Sequence, residues 1–396
     1  MKASISKSDR REFLKKLGLG SLPFFIPATS FANSALKGNS NAANRVNFQF
    51  DGISYSPEEY LNKLLQINKQ HKIEPDIYGY GGATTALEEK FAEISGKQKA
   101  IYLPTGTMAN QLAIKLLNGQ NTKVIVPENS HIYRDEADAA QSVHAKRLIP
   151  VVNNKPYYNR KELDSTISEL QSNEVFKSGI GTVVIENPVR RAFGTAIPLD
   201  NIKEISQYCK EKGYKMHLDA ARIHLAEAYH NTSIREYSAP FDTVYFSLYK
   251  YLNAAGGAIL CGDAELIDQV AHQIKIHGGT IYQNWNNTAM ALYSLNGIGS
   301  RFKEMAIKGK NLIKQLNKID GIEVESTSEG TNLYKMYVSP EMNGFEFDKY
   351  LENNYAISIR PPNPKGEIRF SINESILFQT VDEIVLAFKD AAEKMK

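Results

Sequence analysis

Three short strings in this 396-residue chain hold residue types that could act together. In Phe246-Ser247-Leu248-Tyr249-Lys250 a lysine follows an apolar run, with Tyr251-Leu252-Asn253-Ala254-Ala255-Gly256-Gly257-Ala258 behind it. Packing of the stem aims such an amine into a cleft, and burial lowers a lysine pKa, which makes it a competent nucleophile toward a carbonyl. A solvated surface lysine is the plainer alternative. In His217-Leu218-Asp219-Ala220-Ala221-Arg222 an aspartate closes another apolar run. A carboxylate buried there needs a partner. A protonated pyridine nitrogen would serve; so would Arg222, which could also bind an oxygen of a bound group. In Leu103-Pro104-Thr105-Gly106-Thr107-Met108-Ala109-Asn110 a strand turns into a helix. Gly106 permits close backbone approach, Thr107 adds a hydroxyl and the helix start supplies free N–H groups, as a phosphate site requires. An ordinary helix cap would look the same. Ser247 is placed to reach the same phosphate.

The elements that must position these strings are legible as alternating patterns from about residue 57 to 300. Short apolar runs recur at Tyr102-Leu103, Val124–Val126, Leu148–Val151, Thr182–Ile185, Met216–Leu218, Val244–Phe246 and Ala258–Leu260. Their length and β-branched or aromatic content predict strands buried on both faces. Helical patterns at Glu58–Lys69, Ala86–Ile94, Met108–Leu117 and Ile202–Lys212 fall between or before them. The alternation predicts an α/β, three-layer αβα domain with a mainly parallel sheet. From about 300 a long helix, Ser300–Leu316, leads into Ile322–Glu325, Asn332–Val338, Phe345–Asn353, Ile357–Arg360, Glu367–Ile372 and Thr380–Lys394, which read as a small C-terminal α/β domain. The expected division is 1–32 signal peptide, 33–56 linker and N-terminal arm, 57–299 large domain and 300–396 small domain. No internal repeat is visible.

A phosphate turn, then Asp-x-x-Arg, then a lysine 31 residues after that aspartate resembles the fold type I enzymes that depend on pyridoxal 5'-phosphate (PLP), the aspartate-aminotransferase-like group. The closer resemblance is to the threonine aldolase and β-eliminating lyase branch, over roughly residues 48–390. Asp76-Ile77-Tyr78-Gly79 with Leu87-Glu88 and Gly96-Lys97 resembles its opening signature. Ser130-His131-Ile132 with Glu136 resembles its histidine segment, Gly278-Gly279-Thr280 with Gln283 its glycine-rich loop, and Glu367-Ile368-Arg369-Phe370 its late strand. The resemblance implies PLP held as a Schiff base on Lys250, with its ring nitrogen on Asp219. Gly106, Thr107 and Ser247 would hold the phosphate, and His131 would stack on the ring and serve as acid or base. Asn187 and Arg222 would add cofactor contacts, and Arg369 would fork onto the carboxylate of an amino-acid substrate. It also implies a homodimer or homotetramer.

Two departures bear on the reaction. Where threonine aldolases carry Glu-Asn-Thr-His, this chain has Glu186-Asn187-Pro188-Val189-Arg190-Arg191. Val189 cannot move a proton, whereas Arg190 or Arg191 facing the pocket would favour an acidic substrate or a second carboxylate anchor; a surface pair is the alternative. Tyr249 and Tyr251 bracket the lysine where the aldolases have Ser-Lys-Gly-Leu-Gly, either as pocket walls or as core packing. The expected reaction is retro-aldol cleavage of a β-hydroxy-α-amino acid to glycine and an aldehyde. β-Elimination, racemisation and an inactive exported binding protein are the alternatives.

Composition sets the outer bounds. A hydrophobic share of 42% with 23% charged residues is that of an ordinary globular chain. Ser8-Asp9-Arg10-Arg11-Glu12-Phe13-Leu14-Lys15, the apolar stretch to Phe31 and Ser30-Phe31-Ala32 resemble a twin-arginine export signal, which implies a periplasmic destination; the stretch is too short to span a bilayer. Without those 32 residues the net charge falls from +3 to near −1, which gives no reason to expect nucleic acid or a membrane as partner. Cys209 and Cys261 lack metal-ligand spacing, so no metal is expected, and they read as two buried thiols.

Overall fold

All seven apolar runs become strands of one sheet in the computed structural model, which describes residues 45–152 and 154–395. The export signal and linker residues 33–44 lie outside the described residues. After a two-residue strand, β1 (Val46–Asn47), the large sheet is built from β2 (Lys99–Leu103), β3 (Lys123–Pro127), β4 (Arg147–Val151), β5 (Ile180–Glu186), β6 (Lys215–Asp219), β7 (Thr243–Ser247) and β8 (Ala258–Gly262). Its order is β2-β8-β7-β6-β5-β3-β4. The pairs from β7 to β4 are parallel, and β8 runs antiparallel to both β7 and β2. The connection 248–257 is too short for a parallel crossover, so the chain returns alongside β7 in the opposite sense.

Strand alternation divides the core between two faces. Val244, Phe246, Ile259 and Cys261 face one side, with Leu87 and Phe91 of the helix Gly82–Ser95. Tyr245, Ala258 and Leu260 face the other, with Ala109, Leu112 and Ala113 of the helix Gly106–Asn118 and with the helix Ala264–Ile276. The expected three-layer arrangement is present. The helix Gly106–Asn118 starts two residues before the expected Met108, because Thr105 caps it by accepting the Met108 N–H at 3.2 Å. Gly106 and Thr107 are therefore its first turn.

Beyond the helix Ile298–Leu316, which straddles the expected domain boundary, come β9 (Ile322–Glu325), β10 (Leu333–Val338), β11 (Ile357–Ser358) and β12 (Glu367–Ser371). β10 is central in an antiparallel sheet between β12 and β9, and β11 pairs in parallel with β1. Cys209 and Cys261 are buried and unbridged, and burial pushes both thiols up to about 12. No helix among the described residues is long and apolar enough to cross a membrane.

Candidate active site

Asp219 ends β6 in register with Glu186 of β5 and Tyr245 of β7, so all three side chains leave the sheet on the face covered by the helix Gly106–Asn118. The Asp219 carboxylate is buried and accepts the Ala221 N–H at 3.1 Å and the Asn110 carboxamide at 3.3 Å. Asn110 also donates to Glu136 Oε1 at 2.8 Å, and the same oxygen lies 2.9 Å from His131 Nδ1. A continuous polar chain thus runs from Asp219 to His131. With Nδ1 turned to Glu136, His131 presents Nε2 outward, and its ring keeps 26% exposure. Burial favours the neutral ring, but the Glu136 hydrogen bond and the charge of Asp219 outweigh it, so the His131 pKa lies above its ordinary value.

Lys250 sits on the single-turn helix Leu248–Tyr251 that follows β7 and is only 6% exposed. Among the described residues no hydrogen bond or ion pair holds its amine. Burial, with the Arg222 charge, pulls its pKa down to about 8. Behind it the arm at 51–53 closes the site. Gly52 has φ +53°, and a Cβ there would stand 2.4 Å from the Lys250 carbonyl oxygen. The Ile53 N–H reaches Asn253 Oδ1 at 2.9 Å.

Arg222 does not pair with Asp219; its Nε and Nη2 donate to Asp51 of the arm, at 3.0 and 2.6 Å. Burial works against the Asp51 carboxylate, but Arg222 more than offsets it and holds the pKa well below the usual range. Asn187 follows the end of β5, with its N–H on the Asp219 carbonyl oxygen at 3.0 Å; its carboxamide oxygen accepts the Ile197 N–H at 2.8 Å, and its NH2 is buried and makes no hydrogen bond of ordinary geometry.

At the phosphate end, the N–H groups of Gly106 and Thr107 have no helical partner behind them. A Cβ on Gly106 would stand 2.0 Å from the Tyr245 hydroxyl, so only glycine lets the helix sit this close to β7. The Ser247 hydroxyl is buried and makes no hydrogen bond of ordinary geometry. A buried amine, an orphaned hydroxyl, two open N–H groups and a buried carboxylate fit the aldehyde, phosphate and ring nitrogen of PLP.

Glu186, fully buried, joins the histidine segment to the arginine segment. Its two oxygens accept the backbone N–H of His131 at 2.6 Å and of Arg190 at 2.9 Å. Both arginines approach Asp135: Arg191 forks onto it at 3.0 and 2.5 Å, and Arg190 Nη1 stands 3.6 Å from it, while the Arg190 carbonyl oxygen lies 3.5 Å from Arg369 Nη2. Burial, with the charges of Arg190, Arg222 and Arg360, pushes the Arg369 pKa down to about 10. The tyrosines split. Tyr251 is buried and accepts from Asn332 at 2.8 Å, whereas Tyr249 is half exposed, its ring centroid 5.6 Å from the Lys250 amine.

Asn110, Glu136, Glu186, His217 and Asp51 were not singled out as site residues from sequence. Alternation could have found Glu186 and His217, which lie in register with or two residues from Asp219. No local signal marks Asp51. The Asp76 segment and the glycine-rich loop bind each other: Asp76 accepts the Asn284 N–H at 2.8 Å, and Tyr78 packs edge-on against Tyr282 at 5.3 Å.

Comparison with known proteins agrees with this geometry. Residues 62–339 match the family described as beta-eliminating lyase. The low-specificity L-threonine aldolase of Candida albicans is 29% identical over 222 residues, covering 56% of this chain and 59% of that protein, so the match spans about three fifths of the relative's length. An alanine racemase of Cochliobolus carbonum is 28% identical over 312 residues, 78% of this chain and 75% of that one. The solved threonine aldolase of Leishmania major superposes with a TM-score of 0.67 at 17% identity, over 89% of this chain and 100% of that chain, and so shares its fold. With the match running from the helix Pro57–Gln70 through β10, and thus through every strand of the large sheet, the chain belongs to the beta-eliminating lyase family.

Proposed function

We propose that the chain binds PLP and cleaves a β-hydroxy-α-amino acid between Cα and Cβ, releasing glycine and an aldehyde. The observation that carries this reading is the buried, unpaired Lys250 amine on the same side of the sheet as the buried Asp219 carboxylate. Lys250 would hold the aldehyde carbon, Asp219 the ring nitrogen, His131 the ring face, and Gly106, Thr107 and Ser247 the phosphate. When bound, PLP supplies an electron sink for a bond broken at the substrate Cα. Arg369 binds the α-carboxylate and so decides which Cα bond is oriented for cleavage. His131 Nε2, kept outward by Glu136, takes the β-hydroxyl proton. Lys250, with a pKa near 8, returns a proton to Cα. The names carried by the threonine aldolase relatives support this choice.

A second reading, racemisation, is favoured by the similarity to the alanine racemase, since the same Lys250 amine can take the Cα proton. The purified protein is expected to be yellow with PLP and colourless as Lys250→Ala. Incubation with L-threonine and phenylserine should yield acetaldehyde and benzaldehyde. Pyruvate and ammonia from L-serine would point to elimination, and loss of optical activity from L-alanine to racemisation. A wild-type chain that stays colourless when PLP is supplied would sink both readings.

We also propose export by the twin-arginine route to the periplasm and assembly as a homodimer or homotetramer. The Arg10-Arg11 string supports the first, and a reporter fused to residues 1–34 with Arg10→Lys and Arg11→Lys tests it. The exposed Ile77, Tyr78, Tyr80, Ile281 and Tyr282 around the glycine-rich loop support the second. Light scattering on the purified chain tests it; a monomer at micromolar concentration contradicts it.

A further inference from the structure

The surroundings of Arg369 carry more positive charge than one α-carboxylate needs. Arg369 makes a single long hydrogen bond, to the Arg190 carbonyl at 3.5 Å. Arg190 Nη1 stands 3.6 Å from Asp135 Oδ2, beyond hydrogen-bond reach, and both oxygens of that carboxylate are already taken by Arg191. Arg360 donates Nε to the Gln49 carbonyl at 2.7 Å and lies over the Phe50 ring at 5.6 Å. Arg222, by contrast, is matched by Asp51. Among the described residues, then, Arg190, Arg360 and Arg369 are three guanidinium groups that no carboxylate hydrogen-bonds. Arg190 stands near enough to act on the other two: burial first, then Arg190, lowers the pKa of both Arg360 and Arg369, with Asp51 the acidic group that opposes the shift. Gathering such cations costs stability unless an anion fills the gap between them. The cofactor phosphate is not that anion, because Gly106, Thr107 and Ser247 provide for it separately.

We infer that the pocket takes a β-hydroxy-α-amino acid whose β-carbon bears a second carboxylate, with Arg369 on the α-carboxylate and Arg190, flanked by Arg360, on the distal one. This rests on the reading above and narrows its substrate class. Val189 is buried and brings no polar atom, so Arg190 is the first side chain after the Asn187-Pro188 turn able to select the β-substituent. The shortest such substrate is 3-hydroxyaspartate. Its Cα–Cβ bond breaks, the hydroxyl loses its proton as the C–O becomes the carbonyl of glyoxylate, and the electron pair left at Cα takes up a proton to give glycine. No oxidant or reductant is needed.

The test compares kcat/KM for 3-hydroxyaspartate, threonine and phenylserine on the cofactor-loaded full chain. The dicarboxylate should be preferred by about tenfold or more, the scale of one charge-assisted pair. Arg190→Gln should reduce that ratio by a similar factor, with Arg190→Lys in between. Calorimetry with succinate against butyrate reads the same cluster without turnover: wild type should prefer succinate, and Arg190→Gln should lose the preference. Cleavage of threonine or phenylserine with no advantage for 3-hydroxyaspartate, or equal binding of the two acids, overturns this inference and leaves the proposed reaction standing. A coloured protein that cleaves none of the three yet prefers succinate overturns the reaction and supports the dianion site.

Discussion

His217 stands directly behind Asn110, its Nε2 3.0 Å from the Asn110 carboxamide oxygen. Burial pulls the His217 pKa down to about 4, so the ring is neutral near pH 7. With Nε2–H donating to Asn110, Nδ1 accepts the Thr243 hydroxyl at 2.8 Å. That fixes the carboxamide with its NH2 toward Glu136 and Asp219, the two carboxylates that hold His131 and would hold the cofactor ring nitrogen. The position of Asp219 is thus set from inside the sheet.

Asn110→Ala removes a donor from each carboxylate and leaves the His217 N–H buried without an acceptor. The expected cost is about 1–3 kcal/mol, in thermal stability and in PLP affinity together. A titration of PLP followed by visible absorbance, beside a thermal melt, separates the two. A melt lowered with unchanged PLP affinity would confine Asn110 to packing.

The His131 pKa lies above its ordinary value because Glu136 and Asp219 overcome burial. His131 must be neutral to take the hydroxyl proton, so kcat/KM should rise with pH through an inflection above the usual histidine range. Glu136→Gln removes one of the charges that raise it, and the inflection should move to lower pH. A purely structural role for Glu136 would lower the rate without moving the inflection.

Lys250 has the opposite perturbation, from 10.5 down to about 8, by burial and Arg222. Apoprotein should combine with PLP faster as pH rises and level off above about 8. The sign for stability follows from linkage. Between about 8 and 10.5 the unfolded lysine binds a proton that the folded one does not, so this group makes apoprotein stability rise with pH across that window. Stopped-flow absorbance gives the first, and denaturant melts of wild type against Lys250→Met give the second.

Much of this site was legible because its parts sit at strand ends. Short apolar runs located all seven strands, and Asp219, Lys250 and the Gly106 turn each follow one. What failed was distance. Arg222 was open to pairing with Asp219, but its partner arrives from 171 positions earlier in the chain, where Asp51 ends the alternating run 46–51 and nothing local names its partner. The helix Gly106–Asn118 began early because a cap acts before apolar periodicity starts. Pattern reading sees neighbours along the chain; ion pairs across it depend on the packed arm.

The Asp51–Arg222 pair supplies the strongest stability prediction. Both groups lie against the lysine turn, Arg222 with a side chain 11% exposed and Asp51 with 28%. Removing one partner of a buried pair leaves an uncompensated charge and typically costs about 3–5 kcal/mol; the residual exposure of Asp51 places Asp51→Ala near the lower end. Lys250 carries a second readout. Arg222 lowers the lysine pKa and Asp51 raises it, so Asp51→Ala should drop the plateau of PLP combination below pH 8, whereas Arg222→Leu should lift it. Both variants destabilise, yet they move the pH profile in opposite directions. A shared direction would show that the arm acts on Lys250 through shape alone and not through charge.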